Sequence, residues 1–442
     1  MSVTLGELRK LGGQALGSGQ LDAALRIYWR LVDVTPSEIG PRLKLADTLA
    51  RAGAAQAAAQ VYAATANHAM NAGYPLVAVL AGKILETQSV PTGPLYDQLA
   101  LLYSSESDRI SRYGERFAPL EEETQVKPPD MQKEMAPELL VAGAAQAGTD
   151  LGRVGEYPRM LHRMPLLSDL SGHTFRRVLD TMIAHRLPDG AMVVREGEIG
   201  ASFFLIAAGE VRVYKTDIQG RETELARLHE GSLFGEMALI HAAPRTASVQ
   251  VVGEADLLEV TREGLASLAH EMDAVAVALD RFCRDRLLQN LLATAPLFRA
   301  FSRKQRGDLL KRFTGHEVAQ GTVILKQGDP GRGLYVLLSG EVDITKAGEG
   351  GENVLLANLK AGDVFGEIAL IKGGAATATV TAARQSTILF LDNLYFQRLV
   401  AAIPEMRSYF ESLSEERLAD TRLLMEDGIL IEDAEEDELV LI

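Results

Sequence analysis

The chain has 442 residues, enough for three domains of ordinary size, and its 47% hydrophobic content can fill several cores. A net charge of −15 and a pI near 5.1 argue against a large face for nucleic acid or anionic membrane. The single cysteine, Cys283, rules out a disulfide framework within the chain and a Cys/His metal site, no run approaches the ~18 apolar residues of a bilayer span, and MSVTLGELRK lacks a secretory pattern. A cytoplasmic protein without a metal is the expectation.

The first stretch, 1–103, repeats with the period of a helix pair. Gly19 returns as Gly53, Ala24 as Ala58 and Tyr28 as Tyr62, each 34 residues on. Glycines here break helix pairs, and alanines let two helices approach closely. Gly40-Pro41 suits the start of a further helix, and another helical segment is expected from Leu76 to Glu86. This spacing resembles the tetratricopeptide pattern, which implies a groove for a protein partner.

Residues 104–158 read as a linker. SSESD, the acidic run Glu121 to Glu123, Pro128-Pro129 and VAGAAQAG show no sustained period, with a short helix expected at Pro137–Gln146.

From 159 onward the character changes. DLSGHTFRRVLDTMIAH reads as a helix and leads into short strands punctuated by Gly190, Gly197, Gly209 and Gly231. Each glycine has a counterpart 131 residues later: Gly321, Gly328, Gly340 and Gly362. FFLIAAGEVRVYK is matched by LYVLLSGEVDITK, and both suit strands flanking a Gly-Glu turn. Two copies of a jelly-roll or barrel module follow from this, A over 159–292 and B over 293–427, with helices at their ends. Helical stretches are expected from Glu263 to Leu292 and from Leu394 to Met425, the latter kinked at Pro404. LFRAFSRKQRGDLLKRF, from Leu297, opens module B. An acidic tail, 428–442, ends the chain with an apolar Leu439 to Ile442 that offers a docking strand to a partner's sheet. The whole is a multidomain α+β protein.

The sharpest motif is also duplicated. Residues 234–249 read FGEMALIHAAPRTASV and residues 365–380 read FGEIALIKGGAATATV. Arg245 can meet two phosphate oxygens bidentately, and Gly235 lets the backbone approach a ligand closely. The segment after Gly235 reads as a short helix whose first amides face the same anion. Glu236 repels a phosphate, so its natural partner is a hydroxyl donor. Ala247 keeps the wall thin.

The two modules resemble cyclic nucleotide-binding domains, the family of protein kinase A regulatory subunits, the catabolite activator protein and cyclic-nucleotide-gated channels. Module A matches that family's cassette, FGE-x-AL-x(n)-PR-[ST]-A, at every defining position. The resemblance implies a cyclic nucleotide ligand, cAMP or cGMP, held by Phe234, Gly235, Glu236, Met237, Ala238, Arg245, Thr246 and Ala247, with Glu236 on the ribose 2′-hydroxyl. Thr246 is compatible with guanine and does not exclude adenine. A stacking cap over the base is sought in Phe282, Arg284, Arg286, Phe298 or Phe301. Module B keeps Gly366, Glu367 and Thr377 but has Ala376 in place of the arginine, so it reads as a degenerate site; Lys372 or Arg332 offers an alternative, a rescue of the charge from another direction.

The family's kinase subunits carry an acidic residue where this chain has Ala201, and 104–158 lacks their basic pseudosubstrate pattern; the Arg176-Arg177 pair falls in the opening helix of module A. The sequence therefore points to a non-enzymatic receptor that binds at module A and relays the change to a protein partner through the helical repeats or the tail. A regulatory subunit of a kinase or another enzyme and a scaffold with degenerate modules are the alternatives. A transcription regulator would need a helix-turn-helix after the barrel, and here a second barrel stands there. P-loop, zinc-ligand and nucleophile-elbow patterns are missing from the sequence.

Overall fold

The computed structural model describes residues 2–111, 113–217, 219–236, 245, 247–268, 275, 277, 278, 309, 312–348, 353–360 and 362–427. It divides into two compact units, Met1–Phe282 and Cys283–Ile442.

The first unit opens with antiparallel helix pairs: α1 (Leu5–Gly17) with α2 (Leu21–Val34), α3 (Ile39–Arg51) with α4 (Ala55–Ala72), and α5 (Pro75–Thr87) followed by α6 (Gly93–Tyr103). Thr4 and Glu7 form a reciprocal capping box that starts α1. The 34-residue offset has a structural counterpart. Gly19 and Gly53 both take positive φ where one helix ends, at 75° and 80°. Ala24, Ala58, Tyr28 and Tyr62 are all buried in the helix contacts.

Residues 104–158 differ from the linker read from the sequence. The helix α7 (Pro137–Thr149) packs onto α2, α3 and α4. Its glycines make this close approach possible: a Cβ at Gly143 would lie 2.3 Å from the Trp29 ring, and one at Gly148 would lie 2.7 Å from Val61. The buried Arg42 donates from Nη1 to the carbonyls of Ala147 and Gly148, at 3.2 and 2.6 Å, and so satisfies the C-terminal end of α7. Val3–Thr4 pairs with Gln125–Val126, and Ile110–Ser111 runs parallel to Leu161–His162. The stretch thus wraps the helical layer. Small residues that read as aperiodic in sequence are those a tight helix contact requires.

The expected helix at the start of module A is shorter than its sequence pattern. A single 3-10 turn, Leu167–Asp169, precedes α8 (Gly172–Thr181), which Ser171 caps, and Ile183–Leu187 is already a strand. The sheet runs Ile183–Leu187, Ser248–Thr261, Ser202–Thr216, Glu222–His229; Met192–Val194 and Leu233–Phe234 pair onto the two long strands. In the second unit the same strands divide into two four-stranded sheets, a β-sandwich. One contains Thr314–Val318, Ser386–Asp392, Gly333–Ser339 and Val364–Phe365; the other contains Val323–Leu325, Thr379–Ala382, Glu341–Ala347 and Asn353–Lys360.

The Gly-Glu pair is a corner between sheet layers, not a hairpin turn. Strand Ser202–Thr216 runs straight through Gly209, and Gly333–Ser339 and Glu341–Ala347 pair with other strands, not with each other. Gly209 and Gly340 have φ of 90° and 91°, and a Cβ on either would strike the facing strand within 2.2 Å. The 131-residue offset extends to ring stacking. Phe204 stacks on Phe234 at 5.2 Å, and Tyr335 stacks on Phe365 at 5.0 Å.

After module A's barrel the described helix is Arg262–Ala266; beyond 268 the stretch expected to Leu292 is described only at 275, 277 and 278, and the opening of module B from Leu297 only at 309, 312 and 313, while the tail lies outside the described residues. After module B, Pro404 separates two helices instead of kinking one. Asn393–Ala402 ends, Ile403 is extended, and Pro404–Asp427 begins with proline at its first position, where its missing N–H costs nothing.

The helical layer and module A share polar contacts within the first unit. Arg186 bridges Asp47 of α3 and Asp256 of strand Ser248–Thr261, and Tyr62 donates to Asp47 at 2.6 Å. Lys44 pairs with Glu254 at 2.5 Å, and Lys83 donates to the carbonyl of Asp180 at 3.1 Å. Arg176 pairs with Asp97 at 3.0 Å and lies over the Tyr96 ring, so one member of the Arg-Arg pair is engaged in packing.

Candidate functional site

The cassette of module A is anchored by strand Leu233–Phe234, whose pairing with Phe204 and Leu205 fixes where the chain leaves the sheet. Gly235 follows at φ 85°, and a Cβ there would lie 2.6 Å from Nη1 of Arg245. The glycine is therefore required twice, by its backbone conformation and by the approach of the guanidinium.

Arg245 and Glu236 are both buried, at 8% and 4% exposure. Arg245 Nη1 donates to the Gly235 carbonyl at 2.6 Å, and Nη2 donates to the Ser202 carbonyl at 2.8 Å. Burial pushes the arginine's pKa down, while the charges of Glu236, Glu259 and Glu198 act in the opposite direction. A buried guanidinium bonded to neutral carbonyls keeps a positive charge in a setting where an anion would be strongly favoured. The main chain of residue 245 is also tied: Gly197 N–H donates to its carbonyl at 2.8 Å, and its own N–H donates to Glu198 at 2.8 Å. Ala247 is half-buried at the start of the next strand. Met237, Ala238 and Thr246 lie outside the described residues, as do Phe282, Arg284, Arg286, Phe298 and Phe301.

Module B shows the same frame with different chemistry. Gly366 has φ 86° and precedes the short helix Glu367–Lys372. The main-chain ties are retained: Gly328 N–H donates to Ala376 at 2.9 Å, and Ala376 N–H donates to Asp329 at 2.7 Å. The side chain is a methyl, packed in a core cluster with Phe365, Leu325 and Val380.

Neither of the two cations named as an alternative source of charge lines the cavity beside the module B cassette. Lys372 pairs with Glu415 at 3.3 Å, and Arg332 does not line the cavity beside the cassette. The residue that enters is Arg417, from helix Pro404–Asp427. Its Nη1 lies 2.8 Å from Glu367 Oε1 and donates to the Val364 carbonyl at 2.7 Å. Glu367 is 1% exposed, and burial pushes its pKa up while Arg417 opposes the rise. The sequence did carry a trace of this, since Arg286-Leu287 returns as Arg417-Leu418 at the 131-residue offset.

Comparison with known proteins decides the family of both modules. The model described as cyclic nucleotide-binding domain matches residues 184–271 and again 316–402. The chain carries two cyclic nucleotide-binding domains. A cAMP-dependent protein kinase regulatory subunit of Yarrowia lipolytica is 28% identical over 239 residues, covering 54% of this chain and 59% of that protein. A cGMP-dependent protein kinase, isozyme 1, of Drosophila melanogaster is 30% identical over 244 residues, covering 54% of this chain and 30% of that protein. The regulatory domain of Toxoplasma gondii PKA, solved with cAMP, aligns at 25% identity over 57% of this chain and 92% of that one, with a TM-score of 0.28. The chain spans less than two thirds of the length of these curated relatives. Among the described residues no helix is long and apolar enough to cross a membrane, and no His, Cys, Asp and Glu cluster could hold a metal ion.

Proposed function

We propose that the chain is a non-catalytic cyclic nucleotide receptor with a single sensing site, in module A. The observation that carries this reading is the difference at one equivalent position: a buried guanidinium at Arg245, Ala at 376. Arg245 takes the cyclic phosphate by exchanging a carbonyl partner for an anionic oxygen, and Glu236 takes a ribose hydroxyl. Phe234, Gly235 and Ala247 shape the wall, with Met237, Ala238 and Thr246 completing the cassette. The helical layer, tied to module A through Arg186, passes the change to a protein partner.

Thermal unfolding with cyclic AMP and cyclic GMP tests the proposal. Ligand at about 100 times its dissociation constant should stabilise the chain by roughly 2.7 kcal/mol, and Arg245→Ala should remove that gain. No shift with either nucleotide would refute the receptor reading; an intact shift in Arg245→Ala would refute the site.

A second reading, a kinase regulatory subunit, is favoured by the named relatives. Co-purification of a kinase activity released by nucleotide would support it.

A further inference from the structure

We propose that the first unit carries a further ligand site, a cleft between α6 and α8 that takes a primary ammonium group borne on an aliphatic chain. The proposal goes beyond the receptor reading and does not depend on either module binding a nucleotide.

Three observations converge. The first is space. The cleft has a volume of about 370 Å³. Pockets that hold small molecules begin near ~300 Å³. One wall is α6, which presents Asp97 and Leu101 one turn apart; the other is α8, with Gly172, His173 and Arg176. Ser104 and Glu106, just after α6, complete the lining. Gly172 leaves a gap between the walls: a Cβ there would lie 3.0 Å from Glu106 Oε2 and 3.6 Å from Ser104 Oγ. Both oxygens therefore face the same opening.

The second is charge. The cations of the cleft are already engaged. Arg176 donates from Nε to Asp97 at 3.0 Å, pairs through Nη1 with Asp180 and lies over the Tyr96 ring, and His173 has a partner of its own. Glu106, in contrast, makes no ion pair or hydrogen bond among the described residues. Ser104 lines the cleft although it is only 1% exposed, and its hydroxyl donates to no described residue. The cleft thus offers acceptor oxygens and an unneutralised carboxylate. An ammonium is compact, with three donors and no acceptor, so it can address Glu106 and Ser104 together. An anion would be repelled by Glu106 and Asp97.

The third is the apolar lip. Leu101 lines the cleft and is 74% exposed. An aliphatic chain lies along such a surface while its charged head reaches a carboxylate. A carboxylate without a cation and an exposed leucine in one cleft together describe an alkylamine or a lysine side chain. The α6 wall belongs to the helical layer and the α8 wall to module A, which the Asp97–Arg176 pair already joins here. A bound ammonium adds a second fastening at the same junction.

Saturation-transfer NMR on the full chain, titrated with n-pentylamine, Nα-acetyl-lysine amide or 1-pentanol, tests the site. At least one amine should bind, and the uncharged alcohol should bind roughly tenfold more weakly or not at all. Glu106→Gln removes the charge and Gly172→Val fills the gap beside it, so each should weaken amine binding about tenfold. Glu156→Gln, at an exposed carboxylate that does not line the cleft, should leave it unchanged. Tighter binding of the lysine derivative assigns the site to a partner protein's side chain, and tighter binding of pentylamine assigns it to a free alkylamine; equal binding supports the shared chemistry. Binding of neither amine at millimolar concentration, equal binding of alcohol and amine, or unchanged amine binding in Glu106→Gln would overturn the proposal. Thermal unfolding checks both variants, and should Gly172→Val fail to fold, Glu106→Gln decides alone.

Discussion

Arg186 grips Asp47 with two parallel bonds, Nη1 to Oδ1 at 2.6 Å and Nη2 to Oδ2 at 2.8 Å. The two residues are 139 apart in the chain, one on the first strand of module A and the other on α3. The Nε of the same guanidinium bonds Asp256 at 2.8 Å, and the two carboxylates hold its pKa above the ordinary arginine value despite the opposing effect of burial. One arginine thereby joins the helical layer to the sheet that carries the cassette's neighbouring strand.

Arg186→Met should destabilise the first unit by about 2 kcal/mol. The figure is below the ~3–5 kcal/mol for breaking a fully buried pair because the arginine side chain stays about a third exposed. The cause is two carboxylates left facing each other without a cation. Adding Asp256→Asn should recover part of the loss, and a double-mutant cycle from urea unfolding measures the coupling.

Gly235→Ala should impair module A in two ways. Left-handed backbone costs a non-glycine residue about 1–2 kcal/mol, and the new methyl displaces Arg245 Nη1. Arg245→Lys keeps the charge but loses the fork, so nucleotide affinity should fall roughly 10- to 100-fold with little change in fold. Isothermal titration with both cyclic nucleotides distinguishes the two: the first variant loses stability and binding together, the second mainly binding.

His68 gives the helical layer a pH dependence. It is fully buried, with Nδ1 at 3.1 Å from the Tyr157 hydroxyl and Nε2 at 3.1 Å from the Ser37 carbonyl, an arrangement that the neutral ring satisfies. Burial, aided by the charge of Arg42, pushes its pKa down to about 4 from 6.5. The unfolded chain then binds the extra proton between those values, so stability is complete above pH 6.5 and is lost as pH falls towards 4. The loss should reach about 3 kcal/mol. Urea midpoints of the wild type and His68→Gln, measured at several pH values, should converge as pH drops; a constant gap would show that His68 does not titrate in this way.

The chain's one tryptophan reports on α7. A Cβ at Gly143 would lie 2.3 Å from the ring of Trp29, so Gly143→Val should lift α7 off α2 and expose the indole. Red-shifted, more quenchable Trp29 fluorescence is the expected outcome, with a stability loss of about 1–3 kcal/mol from overpacking. Gly155→Ala, where a Cβ would meet nothing within 4 Å, is the control.

The features legible in sequence were those written with a period. The 131-residue offset foretold matched strands and is borne out down to the paired stacks of Phe204 on Phe234 and Tyr335 on Phe365. The 34-residue offset foretold glycines at helix ends. Contacts between distant polar side chains leave no such trace. Asp47 and Arg186, or Glu367 and Arg417, are ordinary charged residues until the fold brings them together. The docking of α7 was hidden for another reason: alanine and glycine in VAGAAQAG carry too little hydrophobic signal to mark a buried face, although their small size is what allows the contact. The Gly-Glu corner was misread as a turn because a bend between layers and a hairpin both call for a glycine with positive φ.

The main-chain bonds at residue 245 and their copies at residue 376 separate architecture from chemistry. In both modules the amide and the carbonyl of this residue hold the loop containing Gly197–Glu198 or Gly328–Asp329, whether the side chain is guanidinium or methyl. The position is consequently one where ancestry can experiment. A duplicated module can carry a guanidinium or a methyl at this position and keep the same main-chain bonds, which leaves the side chain of each copy free to differ.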